Sequence, residues 1–375
     1  MKIDHIEAIL VDLPTIRAHK LARQTVTVQT LVIVRMRTDQ GIEGLGEATT
    51  IGGLSYGQEC PESIKIALDR YAAPLLLGLD PMATGSVMAL LDRHIVANGL
   101  AKSALETALL DIKGKALGVR ISDLFGGARV PSLEVAWGLA TGDADKDIAE
   151  AERVLALNLH RIFKIKVGAG DVDADVRRVA AVKAALGDRA SVRVDANQAW
   201  DELSARRAIA ALQDAGVDLI EQPVARHDHA ALKRLSDRFA VPLMADEAVC
   251  TPADAFQLAS QRAVDVFALK IAKSGGLTGV SNVAAVAAAS GIGLYGGTML
   301  EGTIGTIASA HIFAALPQPL AFGTELFGPL LLTDDVVAER PQYRDFSIFV
   351  PKAPGLGVAL DEDKLAHYRR DRTKT

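Results

Sequence analysis

Cysteine is almost absent: 375 residues hold two, Cys60 and Cys250, 190 positions apart. That separation matches no metal motif and builds no disulfide framework, so both are expected to be buried thiols in a reducing cytoplasm. Charge of one sign is nowhere concentrated. Lysine and arginine number 41 against 46 aspartate and glutamate, a net charge of -5 without blocks, which argues against a nucleic-acid partner. Long apolar runs are missing too. The opening MKIDHIEAILVDLP breaks its apolar residues with charges and reads as a strand, not an export leader. Residues 274–300 carry no charge, but seven glycines with Ser and Asn split them into a helix-like VSNVAAVAAAS and a strand-like GIGLYG. This predicts buried wall and no membrane span. No G-x-S-x-G or nucleotide fingerprint occurs, which removes acyl-enzyme chemistry and dinucleotide cofactors. His19, His160 and His311 have no partner at ligand spacing and read as structural.

What the chain does have is order. Its first 60 residues alternate like antiparallel strands (IEAILVDL, TLVIVRMRT, a turn at residues 39–41, IEGLGEA), and residues 101–116 repeat apolar positions at helical intervals until Gly118 stops them. From Leu133 eight apolar runs follow, LEVAWGL to LAFGTE, separated by Ala-rich amphipathic segments. That is the period of a (β/α) TIM-type barrel behind an α+β module. A further run, FSIFV at 346–350, belongs to a tail expected to return to the first module.

Three of the runs, SVRVD, VDLIE and VPLMAD, end in Asp195, Glu221 and Asp246, spaced by 26 and 25 residues. One strand plus one helix accounts for that interval, and parallel barrel strands open onto one mouth, so the acids converge. Three carboxylates without nearby His or Cys suit Mn2+ or Mg2+ better than zinc. Lys164 and Lys166, two apart in FKIKVG, face the same way, and Lys270 closes a later run, VDVFALK, on the other side of the ring. Burying such a lysine pair is costly without a purpose, and two like charges near a metal are expected to lower each other's pKa toward that of a base. Asn197 faces the same way as Asp195 as a metal-supporting or substrate donor. Glu325 ends the LAFGTE run, and Glu301, in the loop GGTMLEG with Thr298, is open between a functional and a structural role.

These residues resemble the enolase superfamily, and the segments VDAN, IEQP, ADE and LKIAKSGG resemble its muconate lactonizing subgroup. HKLARQTVTVQT, GEATTIGGLSYG, SLEVAWGLA, GIGLYGGTMLEGTIGTIASAH and GTELFGPLLLT extend the likeness over nearly the whole chain. The resemblance implies an enolase-like modified barrel at 128–328, an N-terminal capping domain at 1–127 with lid loops, and a segment at 329–375 that returns to the cap. It implies Mn2+ or Mg2+ held by Asp195, Glu221 and Asp246, Lys166 as the acid/base at the α-carbon, Lys164 assisting it, and Lys270 across the substrate beside Glu325. Arg23 would sit on one lid loop and Thr50, Ile51 and Tyr56 on a second, with Phe327 walling the pocket and Asn197, Thr298 and Glu301 near the ligand. The implied activity is closure of cis,cis-muconate, a small dicarboxylate, to muconolactone in bacterial catechol degradation, by a cytoplasmic homo-oligomer, an octamer. Relatives acting on chlorinated muconates share every metal and lysine position. From other classes, a Schiff-base aldolase would use Lys166 or Lys270 on the same barrel, and a metal-binding protein without activity would leave the lysine pair unexplained.

Overall fold

Alternation along the first strands decides how they pack. β1 (Ile3–Lys20), β2 (Thr25–Thr38) and β3 (Glu43–Thr49) form an antiparallel sheet in the order β1-β2-β3. Ile9, Val11, Leu13, Leu31, Ile33 and Leu45 join the main core on one face, while Ala8, Leu10, Val32, Val34, Met36 and Ala48 join a second core beneath helices on the other. A strand with period two can serve both layers only if neighbouring residues are both apolar, which is why these strands read as nearly unbroken hydrophobic runs. The description comes from a computed structural model and covers residues 1–21 and 24–370.

The helix Gly99–Leu117 lies on β3 and ends at Gly118, whose φ of 70° is the left-handed stop. Gly44 and Gly46 share one face of β3, and Ala104 and Ala108 are one helical turn apart. A Cβ on Gly46 would run into the Ala104 carbonyl, and one on Gly44 into that of Ala108. Gly46→Ala is therefore expected to destabilise the fold by about 2 kcal/mol or more, since overpacking costs ~1–3 kcal/mol and here the obstacle is backbone; urea unfolding reads it. Asp111 of the same helix, fully buried, accepts from Leu45 N at 2.9 Å and Leu356 N at 2.8 Å, so a single carboxylate ties sheet, helix and C-terminal segment together.

Beyond the helix, β4 (Ser132–Glu134) and β5 (Trp137–Leu139) divide the first apolar run between two sheets. β4 pairs with β13 (Ser347–Phe349), which pairs with β12 (Tyr343–Arg344). β5 begins the barrel and is followed in parallel by β6 (Ile162–Lys166), β7 (Ser191–Asp195), β8 (Leu219–Glu221), β9 (Leu243–Ala245), β10 (Val266–Leu269) and β11 (Gly293–Gly296). The eighth run differs from expectation, because LAFGTE forms no strand. Thr324 alone bridges Gly296 on one side and Val135 on the other, its amide donating to Glu134 O at 2.8 Å and its carbonyl accepting from Ala136 N at 2.7 Å. Gly323, at φ 72°, admits the chain to that bridge and leaves again toward the mouth as Glu325. Near the C-terminal end, Arg370 N donates to Leu10 O of the first sheet at 2.8 Å, and its guanidinium clasps Asp12 at 2.6 Å. Among the described residues, no helix is long and apolar enough to cross a membrane.

Candidate active site

Strand position builds the mouth. Asp195 and Glu221 are the last residues of β7 and β8 and stand in register, and Asp246 follows β9 by one residue. Lys166 ends β6 in register with Asp195, with Lys164 two residues behind it on the same side. Lys270 follows β10 by one residue, four strands round the ring from β6, so the two lysine positions confront each other across the mouth. Just past β7 and β8, Asn197, Gln198 and Gln222 have φ of 41°, 66° and 35°. Such conformations cost non-glycine residues about 1–3 kcal/mol each and concentrate at functional sites.

Each carboxylate meets a lysine. Lys164 Nζ donates to Glu221 Oε2 at 2.7 Å and Glu325 Oε2 at 2.5 Å and lies 3.5 Å from Asp195 Oδ2. Lys166 Nζ donates to Asp195 Oδ2 at 2.5 Å. Asp246 takes Lys270 at 2.6 Å, Tyr56 Oη at 3.0 Å and Lys273, which reaches its Oδ1 at 2.8 Å and its carbonyl at 2.6 Å. Burial by itself lowers the Lys164 pKa, but Glu221 and Glu325 more than reverse that and hold it well above the usual value. Lys270 is likewise raised against burial by Asp246 and Glu221. Like-charge repulsion between lysines loses to carboxylates at contact distance.

The pocket above these groups is lined by His19, Leu21, Ile51, Tyr56, Lys166, Asn197, Lys270, Thr298, Leu300, Glu325 and Phe327, with Gln24, Ser55, Gln198 and Glu247. Lys164 lies outside the lining, buried under the mouth. Thr50 faces an adjoining cavity with Tyr56 and Lys273. Glu301 turns back into its own loop, accepting from Thr298 Oγ1 and, at 2.9 Å, from Met299 N. Arg23 lies outside the described residues. His160 Nδ1 donates to Val135 O and His311 Nε2 to Leu356 O in the core, as structural histidines do, whereas His19 lines the pocket. Both cysteines are free and half-buried.

Three participants escaped the sequence reading. Lys273 stands one turn beyond Lys270 in LKIAKSGG, a signal that was visible but ambiguous. Glu247 is the neighbour of Asp246 and accepts from Asn197 Nδ2 at 3.3 Å. Gln222 Oε1 holds the Asp246 and Ala248 amides at 3.0 and 3.1 Å and so fixes the start of that loop.

Among the described residues, no three His, Cys, Asp or Glu side chains stand in metal-holding geometry, because lysine ammonium groups occupy the carboxylate oxygens. The donor set nevertheless fits a divalent cation. Glu221 Oε1 and Glu247 Oε2 are buried without a hydrogen-bond partner. Burial, then Asp195, pushes Glu221 up to about 8, and burial, then Asp246, pushes Glu247 to about 7. Five carboxylates face four lysines at this mouth, so by formal charge it is one positive charge short of neutral. Hard oxygens in negative excess are what Mg2+ and Mn2+ take.

A capped barrel with acids and lysines at the carboxyl ends of its strands defines an enolase-type enzyme. Residues 146–364 match the family model "Enolase C-terminal domain-like", and residues 5–126 match "Mandelate racemase / muconate lactonizing enzyme, N-terminal domain". The chain is 54% identical over 374 residues to muconate cycloisomerase 1-2 of Acinetobacter lwoffii, covering 100% of this chain and 97% of that one. The crystal structure of the muconate lactonizing enzyme from Pseudomonas fluorescens complexed with muconolactone superposes with a TM-score of 0.97 at 57% identity, covering 98% of this chain and 99% of that one. A chloromuconate cycloisomerase of Delftia acidovorans is more distant, at 44% over 370 residues, 99% of this chain and 100% of that one. The chain belongs to the muconate cycloisomerases of the mandelate racemase/muconate lactonizing enzyme family.

Proposed function

We infer that the protein converts cis,cis-muconate to muconolactone reversibly, as a divalent-metal-dependent isomerase of the enolase superfamily. The observation that carries this reading is the pair of cationic sites facing each other across a mouth of buried carboxylates, in a chain more than half identical to muconate cycloisomerases. Asp195, Glu221 and Asp246 would hold the cation, Mn2+ or Mg2+, which when bound supplies charge stabilisation to the developing enolate oxygens.

The chain's own residues do the rest. Once the mouth's negative excess is reversed, a dianion is drawn in by Lys166 and Lys270 from opposite sides. Ile51, Leu21, Leu300 and Phe327 close over it and exclude water. One substrate carboxylate oxygen then adds to the far alkene carbon, and the displaced π electrons move to the other end of the molecule. Lys166, whose ammonium borders the pocket and has one carboxylate partner, gives its proton to the α-carbon. Lys270 is held by Asp246 and Tyr56 together and remains a fixed positive charge. Lys164 does not reach the substrate; it keeps Glu221 and Glu325 in place beneath it.

Purified enzyme with Mn2+ is expected to consume muconate, read as loss of its ultraviolet absorbance, faster than chlorinated muconates. No turnover of muconate would defeat the reading, and preference for the chlorinated substrates would move it to the more distant relatives. The same reading places the protein in the cytoplasm, in catechol degradation, as a homo-oligomer; light scattering at the mass of an octamer is the result expected.

A further inference from the structure

The far end of the pocket holds a donor with nothing to donate to. His19 is fully buried, lines the pocket beside Leu21 and Phe327, and its Nε2 has no hydrogen-bond partner. Four other donors of the lining are committed: Tyr56 Oη to Asp246, Asn197 Nδ2 to Glu247, Thr298 Oγ1 to Glu301 and Ser55 Oγ to Ile51 O. Among the described lining residues the other buried orphan is Glu247 Oε2, an acceptor. An unpaired buried N–H costs about 1–3 kcal/mol, so its retention in a pocket points to a ligand.

The ring's tautomer follows from its other nitrogen. Arg17 Nη1 lies 3.2 Å from His19 Nδ1, and a guanidinium only donates, so Nδ1 is the lone-pair nitrogen and the proton sits on Nε2. Arg17 is itself locked: Nη2 donates to Gly138 O at 2.8 Å, and Nε donates to Glu150 Oε1 at 2.9 Å, which also accepts from Trp137 Nε1 at 2.7 Å. Burial, then Arg17, keeps the imidazole neutral by holding its pKa well below the usual histidine value. The strand end that carries it is pinned over the barrel, Lys20 N donating to Ala140 O at 3.0 Å.

Position fixes which part of a ligand it meets. His19 and Phe327 sit over Gly138 of β5, whereas the acids end β7 and β8 and follow β9, on the other side of the mouth. We propose that His19 is a substrate-binding residue whose neutral Nε2–H donates to the carboxylate that closes the ring, with Arg17 as its positioning residue. This rests on the muconate reading above. A neutral donor is the right chemistry there: it aligns the attacking carboxylate without cancelling its charge, and it brings no second acid close to the carbon that Lys166 protonates. After closure the same N–H faces the lactone carbonyl.

Two substitutions and one spectrum test this on the full-length enzyme with Mn2+. His19→Leu is expected to raise KM for muconate about 10–100-fold, the range for a hydrogen bond to a charged group, with kcat within about threefold, since the carboxylate accepts most strongly before it loses charge. His19→Gln, whose amide N–H reaches the place of Nε2, should recover most of that loss, which a filler of space would not do. The ¹⁵N spectrum of the wild-type imidazole should show the neutral Nε2–H form, and Arg17→Met should release a mixture of tautomers. A wild-type KM in His19→Leu, equal losses in the Leu and Gln variants, or an Nδ1–H imidazole would each overturn the proposal while wild-type turnover of muconate left the functional reading standing. An inactive wild-type enzyme would overturn both.

Discussion

Lys166→Ala is expected to lose at least about three orders of magnitude in kcat while muconate still binds, because general acid/base work by a placed side chain contributes roughly 10²–10⁴-fold. Lys166 lines the pocket with Asp195 as its partner, whereas Lys270 is held by Asp246 and Tyr56 together, so removal of Lys166 takes away the proton and leaves Lys164, Lys270 and Lys273 to their own carboxylates. A variant within tenfold of wild type would reassign the acid, and Lys270, across the ring, is the group to which it would pass. Direction gives an independent check. In D2O the wild type should place one deuterium at the α-carbon with one configuration, on the face used by the attacking carboxylate; the opposite configuration would name Lys270, and a racemic label would mean that water protonates an unguarded enolate.

Glu221→Gln and Asp246→Asn should both abolish activity, but by different routes that the hydrogen bonds separate. Glu221 has a buried oxygen, Oε1, with no partner, and its Oε2 accepts from Lys164, so the amide changes the charge and little else. Its fold should survive, and its Mn2+ affinity should fall more than about a hundredfold, since loss of even a supporting partner costs about 10–100-fold. Asp246 by contrast receives Lys270, Lys273 and Tyr56. An amide there leaves buried ammonium groups short of a counter-charge, and breaking a buried pair costs about 3–5 kcal/mol, so Asp246→Asn should also unfold at lower urea concentration. Calorimetric titration with Mn2+ beside urea melts distinguishes the two. Full activity of the dialysed enzyme in excess chelator would sink the metal assignment for both.

The acids and lysines were legible because a strand end is a local fact. A short β-branched run that closes on Asp195, on Glu221 or one residue before Asp246 leaves that side chain at the carboxyl end of a parallel strand, and βα repetition carries each such end to the same mouth. Gly118 stopped its helix for the same kind of reason, since the left-handed residue and the helix it ends are neighbours in the chain. The eighth run resisted because LAFGTE has a strand's composition, yet closing the ring required one residue, Thr324, to pair on both sides. Composition does not record how much of a run the geometry will use.

What the sequence determined by itself was the class of barrel, its cap and the charged residues that close its strands, through periodicities of two residues within strands and about twenty-five between them. Only the tertiary structure decided which charge meets which: that Lys273 shares Asp246 with Lys270, that Lys164 pairs with Glu221 and Glu325, that Glu301 closes on its own loop, and that His19 comes to the pocket from the first strand of the cap. Those outcomes depend on distances of a few ångströms between residues that stand anywhere from a few to more than a hundred positions apart in the chain. Coulomb and hydrogen-bond energies change steeply over such distances, whereas periodicity along the chain carries no measure of them.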